Sequence, residues 1–296
     1  MYPSTDEKVY IDAAERLMVK VMARYDPSHD AFHVRRVRKT ALAIANALPL
    51  TPDLLTVELA ALLHDVLDKK YVSLEEASDP YAFFLPLFQS AARESNIDII
   101  KDGRASQIAL IVDSVSWSTE KKLRATGKWN VWHDECVELH CVQDADRLDA
   151  IGAFGILRCA AFSASQNKPL HTPQDDIAAG LSAMQHFSDK LIHIREGMKT
   201  QPGKQLAVKR HQLVGQVNQI GSWSEQFFTV DSFHAVCERR VLSDMTRPSE
   251  TPAFSPPVNY FYLFFKIKLS RLTHGTLHPL QRTCSERATS SCLMYM

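Results

Sequence analysis

The segment ELAALLHDVLDKK, residues 58–70, places an adjacent histidine and aspartate inside a strongly apolar run. Its leucines recur at helical spacing, which predicts a buried helix. A polar pair such as His64 and Asp65 needs a partner in apolar surroundings, because burying an unpaired charge is costly. A divalent metal ion would supply that partner. The segment therefore predicts a core helix whose far end binds a metal.

Helical periodicity continues on both sides of this segment, to about residue 226. Ser4 and Glu7 form a capping box ahead of apolar residues spaced by three and four. Thr51 and Pro52 predict an N-cap and a first-turn proline for the helix that leads into the segment. No strand-like alternation is sustained, so the predicted fold class is all-α. Further helices are predicted over residues 34–48, 104–116, 136–164, 176–198 and 204–226.

Other stretches depart from this pattern. Pro80 and Pro86 are interpreted as breaks in a helical segment, and residues 117–134, which lack periodicity, as a surface loop. Beyond residue 230 several prolines appear and no period survives. We therefore predict one domain over residues 1–230 and a poorly ordered, proline-rich tail over 231–296, with a partner-binding peptide as the alternative for the tail.

The composition limits the partners and the compartment. Lysine and arginine together number 34, as do aspartate and glutamate, so the chain has no overall positive field to hold a nucleic acid. No apolar run approaches the ~20 residues that span a bilayer, so no membrane partner is expected. Six cysteines without a C-x-x-C pair indicate reduced thiols. The expected compartment is the cytoplasm, with the nucleus left open.

Histidine and aspartate recur at predicted helix ends. His33, the His64–Asp65 pair and Asp144 come from three separate helices, and imidazole and carboxylate are ligands for a divalent ion. Four such ligands would leave coordination positions open for water and substrate, which is the outline of a catalytic metal site. Any one of these residues alone is more often an ordinary core or surface residue than a ligand.

Four stretches of the sequence occur in an informative order. They are SHDAFHVRRV around His33, ELAALLHDVLDKK around His64, VQDADRLDAIGAFGILR around Asp144, and HFSDKLIHIREGMKT followed by AVKRHQLV. Together they resemble the HD-domain metal-dependent phosphohydrolases, specifically the YpgQ-like branch. The resemblance covers about residues 5–226 and implies an all-helical HD-domain bundle. It further implies that His33, His64, Asp65 and Asp144 bind a divalent cation and that the protein hydrolyses phosphate esters or anhydrides, often of nucleotides.

Neighbouring residues are candidates for catalysis. Asp68, close after the metal pair, can orient or deprotonate the attacking water, or is a plain helix-end carboxylate. Lys69 and Arg147 can bind a phosphate oxygen, or are a surface charge and an ion-pair partner respectively. His29, four residues before His33, is a candidate substrate contact or acid for the leaving group.

We therefore expect an enzyme with one bound ion, Mn²⁺ or Mg²⁺ by its ligand types, with Fe²⁺ and Co²⁺ left open. The expected partner is a small phosphorylated substrate, with a nucleotide favoured, attacked by a water that the ion activates. An oligomer is left open. Two alternatives remain, a phosphodiesterase with a second metal and a non-catalytic module that binds a nucleotide as a sensor.

Overall fold

The structure is a computed structural model that describes residues 2–68, 70–73, 75, 77–173 and 176–226, with side chains for these except at 179 and after 219. The described residues form α-helices and short 3₁₀ turns and no strand, which confirms the all-α prediction. The tail predicted over 231–296 lies outside the described residues. The helices are α1 Thr5–Met22, α2 Ala31–Asn46, α3 Leu54–Leu63, α4 Pro80–Glu94, α5 Arg104–Ser114, α6 Trp117–Ala125, α7 Val131–Glu135, α8 Val137–Asp149, α9 Gly152–Ser165, α10 Ala183–Asp189 and α11 Gln201–Gln226, with 3₁₀ turns at Pro27–His29, Ala179–Leu181 and Leu191–Gly197.

Helix α3 lies at the centre of the bundle, as its sequence predicts. Every residue from Leu55 to Leu63 is buried, and the helix packs against α1, α2, α5 and α8. Its N-cap is Asp53 rather than Thr51, because the Asp53 carboxylate accepts a hydrogen bond from the Thr56 backbone N–H. The helix ends at Leu63, so His64 and Asp65 begin the turn that follows it.

The long helix predicted over residues 136–164 is two helices. α8 ends at Asp149 and α9 begins at Gly152, with a bend of 72° between them. Gly152 has a φ of +74°, a left-handed conformation that glycine adopts without steric cost. Within the described part of the chain no single helix is long and apolar enough to cross a bilayer, and α8 with α9 reach that length only as this bent pair.

Two further predictions were wrong, one about residues 117–134 and one about the prolines of α4. Residues 117–134 contain α6 and α7 rather than a loop, and α7 is capped by Asn130, whose side chain accepts from the His133 N–H. Pro80 begins α4 instead of breaking it, since a first-turn proline loses no intrahelical bond, and Pro86 lies inside the helix.

The metal-ligand candidates lie where three segments meet. α2 packs against both α3 and α8, and α3 also packs against α8. The buried faces of these helices bring the N-terminal turn of α2, the turn after α3 and the last two turns of α8 to one place.

Candidate metal centre

Four side chains from these three segments converge on one point. The His33 Nε2 atom lies 3.2 Å from Asp65 Oδ2 and 3.7 Å from Asp146 Oδ1. The His64 Nε2 atom lies 3.4 Å and 3.9 Å from the same two oxygens. Ligand atoms around one divalent ion are separated by distances of this order, given metal–ligand bonds of about 2.0–2.2 Å. The cluster can therefore hold one ion.

Both imidazoles present a nitrogen without a hydrogen-bond partner. The Nε2 atoms of His33 and His64 are buried and make no hydrogen bond. A buried polar atom left unpaired costs about 1–3 kcal/mol, so native proteins rarely contain two side by side. Two such nitrogens facing two carboxylates fit a divalent ion, which would accept an electron pair from each ring.

The opposite nitrogen of each ring is held by the protein. The His33 Nδ1–H donates to Asp149 Oδ2 at 2.7 Å, and the His64 Nδ1–H donates to the Ala61 carbonyl oxygen at 2.8 Å. Arg36 fixes Asp149 in turn, with its Nε atom 2.9 Å from Oδ1. These bonds set both tautomers so that each Nε2 lone pair points to the cluster. Sequence reasoning did not assign this supporting role to Asp149.

The electrostatics of the cluster favour positive charge. Burial by itself would lower the pKa of His64, but the carboxylates of Asp65 and Asp146 outweigh it and raise that pKa to about 9. Burial likewise opposes ionisation of Asp65, and the two imidazoles outweigh it and hold the pKa of Asp65 well below its usual range. The metal-free protein thus binds a proton where a divalent cation would lie.

Asp144, the predicted fourth ligand, is not in this cluster. It is fully buried, and its carboxylate accepts from the Lys199 N–H at 2.8 Å and from the Thr200 N–H and hydroxyl at 2.8 and 2.7 Å. It therefore caps the start of α11, and Asp146 takes the fourth position instead. Residues two apart on a helix point about 200° apart, so Asp144 and Asp146 cannot face the same site. The signal available in the sequence was the spacing of three between Asp146 and Asp149, which puts both carboxylates on one face of α8.

Arg147, predicted to bind phosphate, is an ion-pair partner inside the protein. It is 1% exposed, and its two terminal nitrogens donate to Glu120 Oε2 at 2.5 Å and to the Gly197 carbonyl oxygen at 2.6 Å. Burial alone would raise the pKa of Glu120, but Lys199 and Arg147 outweigh it and lower that pKa to about 2. Arg147 reaches the wall of the cleft described next, but its charge is neutralised by Glu120.

A cleft of about 430 Å³ opens over the cluster. Asp68 lies in its wall as predicted, while Lys69 lies outside the described residues. An adjoining cleft of about 250 Å³ shares part of this wall. Lys70, Arg158 and Lys190 line both clefts, and none of them was identified from the sequence. Burial lowers the pKa of Lys190.

His29 lies beside the cluster, in the wall of both clefts. Its Nδ1 atom is 2.6 Å from the Ser28 hydroxyl and 3.1 Å from the Tyr71 hydroxyl, and its Nε2 atom is 3.1 Å from Lys70 Nζ. Burial lowers the pKa of His29 to about 3, which favours the neutral ring. The position fits a substrate contact, and a neutral imidazole would be a weak acid for the leaving group.

Comparison with known proteins gives a consistent result. Residues 31–151 match the HD domain family. YpgQ of Bacillus subtilis is 32% identical over 188 residues, which cover 62% of this chain and 78% of YpgQ. The crystal structure of YpgQ in complex with ADP superposes with a TM-score of 0.50 at 26% identity, covering 73% of this chain and 98% of YpgQ.

Two other solved structures share the architecture. The Lin1889 protein of Listeria innocua superposes with a TM-score of 0.53 at 27% identity, covering 73% of this chain and 95% of its own. An HD-superfamily hydrolase of Bacillus thuringiensis superposes with a TM-score of 0.51 at 23% identity, covering 75% and 99%, which indicates a shared fold.

Proposed function

Because the chain belongs to the HD-domain family, in its YpgQ-like branch, we propose that it is a divalent-metal-dependent phosphohydrolase. The observation that carries the proposal is the pair of buried, unpaired Nε2 atoms of His33 and His64, which face the carboxylates of Asp65 and Asp146 at the foot of an open cleft. The mixed imidazole and carboxylate set suits Mn²⁺ or Mg²⁺, with Fe²⁺ and Co²⁺ as further candidates.

The ion, when bound, would polarise a phosphoryl oxygen and make a water molecule more acidic. Asp68 lies in the cleft wall close to Asp65, where it can orient that water or accept its proton. Arg158 and Lys190 also line this cleft, where they can donate to phosphate oxygens. Arg158 is itself anchored, since its Nε atom donates to the Ser28 carbonyl oxygen at 2.6 Å.

We propose a nucleotide as the substrate, acted on in the cytoplasm. Two observations support the nucleotide. YpgQ was crystallised with ADP. The adjoining cleft of this chain also adds Lys168 and the Phe162 ring to the shared basic wall, which suits further phosphate and an aromatic base. A phosphodiesterase and a nucleotide sensor remain the competing functions.

A hydrolysis panel with the full chain tests the proposal. The protein is treated with a chelator, resupplied with Mn²⁺ or Mg²⁺, and assayed on nucleotides, sugar phosphates and phosphodiesters with product identification. We expect the ion to restore nucleotide hydrolysis, and His64→Ala to reduce turnover a thousandfold or more, on the order of 4 kcal/mol. His193→Ala, a change of the same type at a half-exposed histidine outside the cleft, should have no effect.

Other outcomes would point elsewhere. Retention of both metal and full activity by His64→Ala would contradict the assigned site. Cleavage of diesters alone would indicate a phosphodiesterase, and nucleotide binding without hydrolysis would indicate a sensor. Asp68→Asn should keep its metal and lose about 10²- to 10⁴-fold in rate if the carboxylate acts as the base.

A further inference from the structure

A second group of metal-type ligands lies next to the first. Ligand atoms of His29, Asp65 and Asp68 all lie within 4.8 Å of one another. Asp65 belongs to both groups, so a carboxylate shared between two cation positions joins them. Neighbouring cations held by a shared carboxylate are an arrangement used by two-metal hydrolases.

The second position already contains a cation, the ammonium group of Lys70. Its Nζ atom lies 3.1 Å from His29 Nε2 and 3.1 Å from Asp68 Oδ2, two of the three ligand residues. The Lys70 backbone N–H also donates to Asp68 Oδ1 at 2.9 Å. The lysine is therefore fixed to the cluster at both ends of its side chain.

The hydrogen bonds around His29 orient this ring toward the ammonium. The hydroxyls of Ser28 and Tyr71 both donate to Asp26, one to each carboxylate oxygen. Each hydroxyl thus offers only a lone pair to His29 Nδ1, which must carry the ring proton. The Nε2 atom is then an acceptor, available either to an ammonium or to a metal ion.

We propose that the ammonium of Lys70 occupies a second cation position formed by His29, Asp65 and Asp68, so that the centre takes one metal ion and receives its second positive charge from the protein. This inference rests on the proposed function for the first ion. A lysine ammonium differs from a metal ion because it donates hydrogen bonds to oxygen and forms no coordination bond. It also occupies the position at any metal concentration. In the cleft it can donate to a phosphate oxygen that also reaches the metal.

Manganese binding to the full chain tests this inference. Equilibrium dialysis against Mn²⁺ should give one ion per native chain and two per Lys70→Ala chain, because the neutral variant vacates a ligand set. Two ions about 4 Å apart should also give a dipole-coupled electron paramagnetic resonance spectrum. Lys70→Arg, which keeps the charge, and the double variant Lys70→Ala with Asp68→Asn should each return to one ion.

Lys168→Ala is the matched control. Lys168 lines the adjoining cleft and, like Lys70, lies over the Phe162 ring, but it contacts none of the second ligand group. Lys168→Ala should leave one ion per chain. This result would show that the second ion needs the position vacated by Lys70, and that loss of one positive charge near the clefts is not enough. A second ion in the native chain, or a single ion in Lys70→Ala, would overturn the inference.

The two proposals fail in different ways. If the native chain binds one ion and hydrolyses nucleotides while Lys70→Ala also binds one, only the role of Lys70 is refuted. If Lys70→Ala gains an ion but the native protein hydrolyses nothing in the panel, the role of Lys70 stands and the phosphohydrolase fails. A native chain that binds no ion refutes both.

Discussion

Exchanging the two aspartates of α8 for asparagine should separate metal binding from stability. Asp144 and Asp146 are two residues apart, yet one caps α11 and the other faces the metal cluster. We expect Asp144→Asn to destabilise the fold and keep the metal, and Asp146→Asn to do the reverse. The two substitutions are matched in size and chemistry, so each serves as the control for the other.

The cost at Asp144 follows from its three hydrogen bonds. An asparagine keeps one oxygen, so its amide nitrogen must face a backbone N–H of Lys199 or Thr200, two donors with no acceptor between them. The side chain at position 144 has little space to rearrange, because Asp144 Oδ2 packs against Gly203 so closely that a Cβ there would lie only 2.1 Å from it. Losing one charge-assisted bond and stranding a buried donor should cost about 2–4 kcal/mol. For a domain of this size that lowers the Tm by roughly 4–16 °C.

At Asp146 the stability change should be small. Within the described residues its carboxylate accepts no hydrogen bond, and it lies 3.7 and 3.9 Å from the two imidazole Nε2 atoms, so neutralising it removes only part of the attraction to protonated His64. Mn²⁺ affinity should fall by more than the 10- to 100-fold that loss of an outer-sphere partner costs. Thermal unfolding in chelator and Mn²⁺ titration calorimetry measure the two effects. Loss of metal by Asp144→Asn at unchanged Tm would refute this assignment.

Three other changes test separate features. Asp149→Asn should weaken Mn²⁺ binding about 10- to 100-fold, because His33 Nδ1–H loses the carboxylate that fixes its tautomer. Titration calorimetry measures this affinity, and an unchanged value would contradict the role of Asp149. In the metal-free protein His64 binds its proton below pH 9, so apparent Mn²⁺ affinity should rise up to about tenfold per pH unit from pH 6 to 9 and level off above, with proton release on binding; a flat profile would contradict the raised pKa. Gly152→Ala should cost about 1–2 kcal/mol from its positive φ, measured by chemical denaturation, while Gly215→Ala, with open space around it, should not destabilise.

The sequence was a good guide to elements whose own pattern decides them. α3 is apolar on every side, so its burial and the need of His64 and Asp65 for a partner could be predicted without knowing the neighbours. The bend at Gly152 could not be predicted, because the apolar pattern runs through it and the close approach of the Arg210 side chain from α11 is a tertiary contact. α6 is largely polar, and its Glu120 pairs with Arg147 and Lys199, two tertiary ion pairs that no periodicity displays.

The choice among the acids of α8 had the same limit. Asp144, Asp146 and Asp149 are equivalent as residue types, and their roles differ because three different segments surround one helix. Lys199 and Thr200 approach one face, and His33 the other. Arg147 lies between these faces and pairs with Glu120, a residue from the stretch interpreted as a loop. The prediction that Arg147 binds phosphate could not include this pairing, because the helix that carries Glu120 was interpreted as a loop.

The position of the cluster, between α2, the turn after α3 and α8, makes a bound ion a cross-link between distant parts of the chain. Such a cross-link acts on the folded state only, so an ion at a hundred times its dissociation constant adds about 2.7 kcal/mol to the free energy of unfolding. The amount of folded protein then depends on the supply of the ion as well as on the sequence. In a cell short of that ion, the folded fraction of the protein would therefore fall.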